Sequence, residues 1–224
     1  MKQLLLDIDC STPAGFEHFV AGGNAALLAA LHEAALAGTD PIYFWGPAGS
    51  GKSHLLAATA ALARVAGRCV ATRLPPAPDE DTGTPAPALL LVDDVDRLAA
   101  EHQVDLFNAF NQRRERRLTL IATGPAAPRD LALREDLRTR IGQALVFEIQ
   151  PPDDAGRRAI IDSLARRRGV DLAPDVLDFV LRHGNRDLPS LLAVFEALDR
   201  ASLETKRPIT LPLLRGLVQT GLEF

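Results

Sequence analysis

The feature that most constrains this chain is the run Gly46-Pro47-Ala48-Gly49-Ser50-Gly51-Lys52-Ser53. Glycines at its first, fourth and sixth places, followed by lysine and serine, make a P-loop. The glycines let backbone N–H groups wrap around phosphate oxygens, and Lys52 neutralises the outer phosphates. Ser53 is placed to hold Mg²⁺, and a helix beginning there adds its positive dipole end. Such a loop needs a strand running into it and a helix running out. Pro41–Trp45 is apolar and predicts the strand, and Lys52–Val65 predicts the helix, closed by Gly67.

The same alternation continues. Ala25–Ala37 predicts a helix, with Asn24 as N-cap and Gly38 past its end. Strands are expected at Arg68–Leu74, Ala88–Val92, Leu118–Thr123 and Leu145–Ile149, with a helix at Asp105–Arg114. Residues 75–88 carry five prolines and read as a surface loop. Strands alternating with helices imply a parallel α/β sheet. After Pro151-Pro152 the pattern becomes helical, at 154–168, 174–183, 187–203 and 211–220. The expected division is an extended segment 1–15, an α/β nucleotide-binding domain 16–151 and an all-α lobe 152–224, hinged at the proline pair.

Two further strand ends carry chemistry. Leu89-Leu90-Leu91-Val92-Asp93-Asp94 is an apolar strand ending in acids, the form of a Walker B motif. Asp93 would hold Mg²⁺ directly or through water, and Asp94 would orient an attacking water. In the same sheet Thr123 would end near the γ-phosphate, as its sensor or as a turn-capping hydroxyl.

The net charge of −4 gives no global bias toward nucleic acid. Lys2, Lys52 and Lys206 are the only lysines, so positive charge is almost all arginine. The runs 113–117 and 166–168 read as solvated helix faces, with phosphate or carboxylate recognition as the alternative. Cys10 and Cys69 have no metal spacing and are expected as free thiols. The longest apolar runs are too short for a membrane span or a signal peptide, so a cytoplasmic protein is expected.

Several segments together resemble the AAA+ core of the DnaA-like family. These are Phe16-Glu17-His18-Phe19-Val20, Gly51-Lys52-Ser53-His54-Leu55-Leu56, the Asp93-Asp94 pair and Leu106-Phe107-Asn108-Ala109-Phe110-Asn111. Neither the helix-turn-helix domain nor the N-terminal domain of DnaA is read in the sequence. Leu198-Asp199-Arg200-Ala201-Ser202 and Pro208-Ile209-Thr210-Leu211-Pro212 are similar to the end of the Hda-type members, which inactivate DnaA.

The resemblance implies ADP or ATP with Mg²⁺ as ligand, with Phe19 and Val20 lining the adenine pocket, Asn24 close by, and His54 binding the nucleotide with the P-loop. It implies DnaA as partner, and the sliding clamp (the β subunit of DNA polymerase III) as a second. Gln3-Leu4-Leu5-Leu6-Asp7-Ile8 is similar to the family's clamp-binding peptide, with Gln3, Leu4, Leu6 and Ile8 as its anchors. A homodimer is a further expectation; sequence-specific DNA binding is not. Thr139-Arg140-Ile141 matches the position of an arginine finger, so Arg140 would act in trans on DnaA-bound ATP. The alternatives are Arg138, or an i,i+4 pair of Arg140 with Asp136. Two positions depart from the family. Pro189 stands where a second-sensor arginine is expected, with Arg186, three residues earlier, as the residue that would reach the phosphates instead from a different angle. Pro125 stands where an acid is frequent. The first puts autonomous ATP hydrolysis and tight nucleotide affinity in doubt, and the second implies weak γ-phosphate sensing, leaving a clamp- or helicase-loading ATPase as the alternative function.

Overall fold

The computed structural model describes residues 15–74, 88–183, 188–205 and 209–219. The peptide anchored by Gln3, Leu4, Leu6 and Ile8, the proline-rich loop, and Arg186 lie outside the described residues.

Five strands form one parallel sheet: β1 (Ile42–Trp45), β2 (Val70–Ala71), β3 (Leu89–Val92), β4 (Thr119–Gly124) and β5 (Leu145–Glu148), in the order β2-β3-β4-β1-β5. The central strands are largely apolar and almost wholly buried because both faces are covered. On one face α1 (Ala25–Leu36) and α2 (Lys52–Val65) bury Leu27, Leu31, Leu55 and Ala60 against Ile42, Phe44 and Leu91. On the other, α3 (Ala100–Gln112) and α4 (Glu135–Gly142) bury Leu106, Phe110, Leu137 and Ile141 against Tyr43, Leu90 and Leu120. The helices α5 (Asp154–Arg168), α6 (Pro174–His183), α7 (Leu188–Thr205) and α8 (Leu211–Gln219) close on a separate cluster that includes Ile161, Val180, Phe195, Leu198 and Leu214. Each fully buried side chain of this size contributes roughly 1.5–3 kcal/mol.

Register sets the site. Trp45 lies level with Gly124 on β4 and Glu148 on β5, and Val92 lies level with Ala122. The P-loop, Asp93 and Thr123 therefore leave the sheet together at its carboxyl edge, where open parallel sheets bind ligands.

Four local expectations change. Asn24 precedes α1 but makes no capping bond; its amide instead donates to the Gln150 carbonyl (2.9 Å) and accepts from the Gln150 N–H (2.7 Å). It ties the start of α1 to the chain just before Pro151. The strand expected at Arg68–Leu74 shrinks to Val70–Ala71 because Arg68 serves the helices. Its N–H bonds to Ala63 at the end of α2, and its guanidinium donates to the carbonyls of Ala34 and Ala35 at the end of α1. Helix α3 starts at Ala100 rather than Asp105, since its first turn is polar and shows no apolar period. Helix α4 buries only Leu137 and Ile141, too few apolar positions to predict an element.

Candidate nucleotide site

Between β1 and α2 the P-loop turns on two left-handed glycines, Gly49 (φ 72°) and Gly51 (φ 95°). Side-chain-bearing residues reach that region only with strain. Space is equally restrictive. A methyl group on Gly49 would lie 2.0 Å from Pro189 Cγ, and one on Gly51 would lie 2.9 Å from Phe19 Cε2. The loop is thus pressed from two sides by other parts of the chain.

Lys52 is buried, and its ammonium donates to the carbonyls of Gly46 (2.8 Å) and Pro47 (3.0 Å). The Ser50 hydroxyl is buried with no hydrogen-bond partner among the described residues. An unsatisfied buried hydroxyl is costly. A methyl-free cradle, a held lysine and an orphaned hydroxyl in one loop fit a phosphate-bearing ligand.

The acids behave differently from one another. The Thr123 hydroxyl, fully buried, donates to the Asp93 carboxylate (2.5 Å). It also accepts from the Asp94 N–H (3.1 Å), which bonds Asp93 Oδ1 at 3.1 Å as well. Thr123 therefore orients Asp93 instead of facing the cavity. Asp94 sits at φ 45°, ψ 61° and reaches Arg97 at 3.6 Å. A non-glycine residue in that region marks strain of the kind found at functional sites.

A cavity of about 600 Å³ opens between the sheet edge and the helical lobe. Ala48–His54, Asp94 and Pro125 form its floor, and Phe19 and Val20 one wall. The Phe19 ring stacks beside His54, with centroids 6.4 Å apart and planes at 20°. Burial pushes the His54 pKa down, while a hydrogen-bonded contact to the Gly15 carbonyl (3.2 Å) opposes the shift. Pro125 is set by its neighbours: the buried Tyr43 hydroxyl donates to the Ala126 carbonyl at 2.7 Å. Burial, and then the charge of Asp96, raise the Tyr43 pKa and keep it a donor.

The opposite wall comes from the lobe. Ile160, Leu164 and Arg167 face the cavity from α5, with Leu188 and Leu192 from α7. Arg167 is missed when the run 166–168 is read as one solvated face. Its spacing of i, i+4, i+7 from Ile160 was the available signal, since it places the three residues on one side of the helix. Arg168 and Glu196 also line the cavity, but the Arg168 guanidinium is held by Asp199 (2.9 Å) and Glu196 (3.8 Å). Pro189 rests on Gly49 and brings no charge to it.

Arg140 does not line this cavity. It is exposed at the end of α4, 6.0 Å over the Phe107 ring, and donates to Gln143 Oε1 at 3.3 Å. The i,i+4 pair with Asp136 does not form; Asp136 is bound by Arg134 at 2.7 Å. Arg138 lines a separate surface hollow with Arg129 and Thr139. No helix among the described residues is long and apolar enough to cross a membrane, and none of their His, Cys, Asp and Glu side chains gather in threes as a metal cluster.

Comparison with known proteins gives the arrangement a family setting. The model of the family described as "Hda, lid domain" matches residues 154–218. Domain III of the replication initiation protein DnaA from Thermotoga maritima superposes with a TM-score of 0.81 at 22% identity, covering 95% of this chain and 98% of that one. DnaA from Aquifex aeolicus, bound to AMPPCP, gives 0.63 at 24% identity, covering 80% of this chain and 62% of that one. The Thermotoga maritima RuvB Holliday junction branch migration motor gives 0.68 at 16% identity, with 93% and 72% covered.

Proposed function

We propose that this DnaA-like AAA+ protein, which carries an Hda-type lid, is a negative regulator of DNA replication initiation. It binds an adenine nucleotide itself and promotes hydrolysis of the ATP held by DnaA. The observation that carries this reading is the position of Arg140. Its guanidinium is exposed, outside its own nucleotide cavity, and free of any carboxylate partner among the described residues. A cation so placed is available to a neighbouring subunit's γ-phosphate, where fixed positive charge stabilises the transition state by large rate factors.

On this reading the chain's own site holds ADP or ATP, with the base between Phe19 and Val20 and the phosphates on Gly46–Ser53. Mg²⁺ would supply charge neutralisation there, held by Ser53 and Asp93. Asp94 and Thr123 would order the acidic edge. The nucleotide then chiefly sets the angle between the α/β domain, 16–151, and the lid, 152–224. Gln3, Leu4, Leu6 and Ile8 would dock on the sliding clamp and bring the regulator to DNA-loaded complexes in the cytoplasm.

The test is hydrolysis of DnaA-bound ATP with clamp and DNA, with and without this protein. Arg140→Ala is expected to fold and bind ADP as the unmodified protein does, and to lose the stimulation; undiminished stimulation would refute the finger. Replacing Gln3 and Leu6 by Ala is expected to abolish clamp pull-down. The ordered Asp93–Thr123 pair favours a second reading, an autonomous ATPase. Rapid ATP turnover by the purified protein without DnaA would sink the regulator-only reading in its favour.

A further inference from the structure

Helix α5 ends in three arginines with three different surroundings. Arg166 donates from Nε to the Asp162 carbonyl one turn back, at 3.2 Å. Arg168 is held by Asp199 and Glu196 and lies 5.8 Å over the Phe195 ring. Arg167 and Arg168 both line the P-loop cavity, but Arg167 has no carboxylate or hydrogen-bond partner among the described residues.

The side of α5 facing the cavity changes character along its length. Ile160 and Leu164 are apolar, and Arg167 is a cation. The α/β side of the cavity changes in the same way, from the wall at Phe19 and Val20 to the phosphate cradle at Gly49–Ser53. The first turn of α7, where the lid meets the loop, offers Pro189 and no positive charge.

We infer that Arg167 is the lid's phosphate ligand, binding the phosphates of the chain's own adenine nucleotide from the side opposite the P-loop. The inference rests on the nucleotide reading of the cavity and goes beyond it by assigning a residue on α5. A guanidinium suits the role because its fork of donors matches phosphate oxygens bidentately. Favourable interaction with the carboxyl end of the helix dipole would also suit an arginine here. That explanation applies equally to Arg166, which makes Arg166 the control.

The experiment is a fluorescence titration of the full chain with a fluorescent ADP analogue, competed by ADP and by adenosine. Arg167→Gln is expected to weaken ADP about ten- to a hundredfold, the loss of one charge-assisted hydrogen bond, and to leave adenosine unchanged. Arg166→Gln removes the same charge one residue away and is expected to stay within about twofold of the unmodified protein. Arg167→Lys, which keeps the charge and loses the fork, is expected to fall between. Equal ADP affinity in Arg167→Gln and Arg166→Gln would overturn the assignment, as would an equal loss for ADP and adenosine. An unmodified protein that binds no adenine nucleotide would overturn both this inference and the nucleotide reading beneath it.

Discussion

Replacing Gly49 by alanine tests whether the lid rests on the P-loop as the structure has it. Two costs are expected and can be separated. Gly49 has φ 72°, where a Cβ costs about 1–2 kcal/mol whatever surrounds it. The new methyl would also lie 2.0 Å from Pro189 Cγ and 2.4 Å from Cδ. Carbon atoms rest at about 3.5–4.0 Å, so lid and loop must separate by roughly 1.5 Å or more. Overpacking of this kind costs about 1–3 kcal/mol. Pro189→Ala removes Cγ and Cδ and leaves Cβ, which stands at an ordinary 3.5 Å from the same methyl. In the Pro189→Ala background, Gly49→Ala is therefore expected to lose only the backbone cost. The assay is a double-mutant cycle by urea unfolding, with thermal midpoints as a check at roughly 2–4 °C per kcal/mol for a chain of this size. A coupling of about 1–3 kcal/mol is expected. If Gly49→Ala costs the same in both backgrounds, Pro189 does not touch the loop and the closed lid is wrong.

Other consequences follow from single contacts. Thr123→Val keeps the shape of a fully buried side chain and deletes the bond to Asp93, so urea unfolding should show a loss of about 1.5–3 kcal/mol; a variant as stable as the parent would mean that bond is not made. Asn24→Ala leaves the N–H and C=O of Gln150 without their partner and should cost about 2 kcal/mol in the same assay. The lowered His54 pKa gives a pH dependence of known sign. The unfolded chain takes up the proton near pH 6.5 and the native state only at lower pH, so stability is fully present above about 6.5 and is lost as the pH falls toward the native value. His54→Gln should flatten that part of the profile between about pH 7.5 and 5.5, and an unchanged slope would remove His54 as its source.

The P-loop, the parallel sheet and the helical lid were legible because each has a local signature. Lys52–Val65 begins and ends where the glycines at 51 and 67 dictate, and Leu89–Val92 is apolar because both its faces are covered. Helix α4 and the first turn of α3 were not legible, since they bury too few side chains to write a period into the sequence. Arg68 read as strand because nothing local reveals that its side chain serves the ends of two helices.

The sequence by itself determined that this chain has a phosphate cradle, a strand-end acid to accompany it, and a proline where a cationic residue was expected. Spacing along the chain suffices for the first two, because glycine torsions, strand hydrophobicity and helix ends are local properties; the third came from the family resemblance. Only the tertiary structure decided what surrounds the cradle. It turned Thr123 onto Asp93, set Pro189 on Gly49, left Arg140 outside the cavity, and brought Arg167 to the cavity without the carboxylate partners that hold Arg168. Those outcomes depend on how the lid meets the sheet across residues more than a hundred positions apart, and no local pattern encodes that distance.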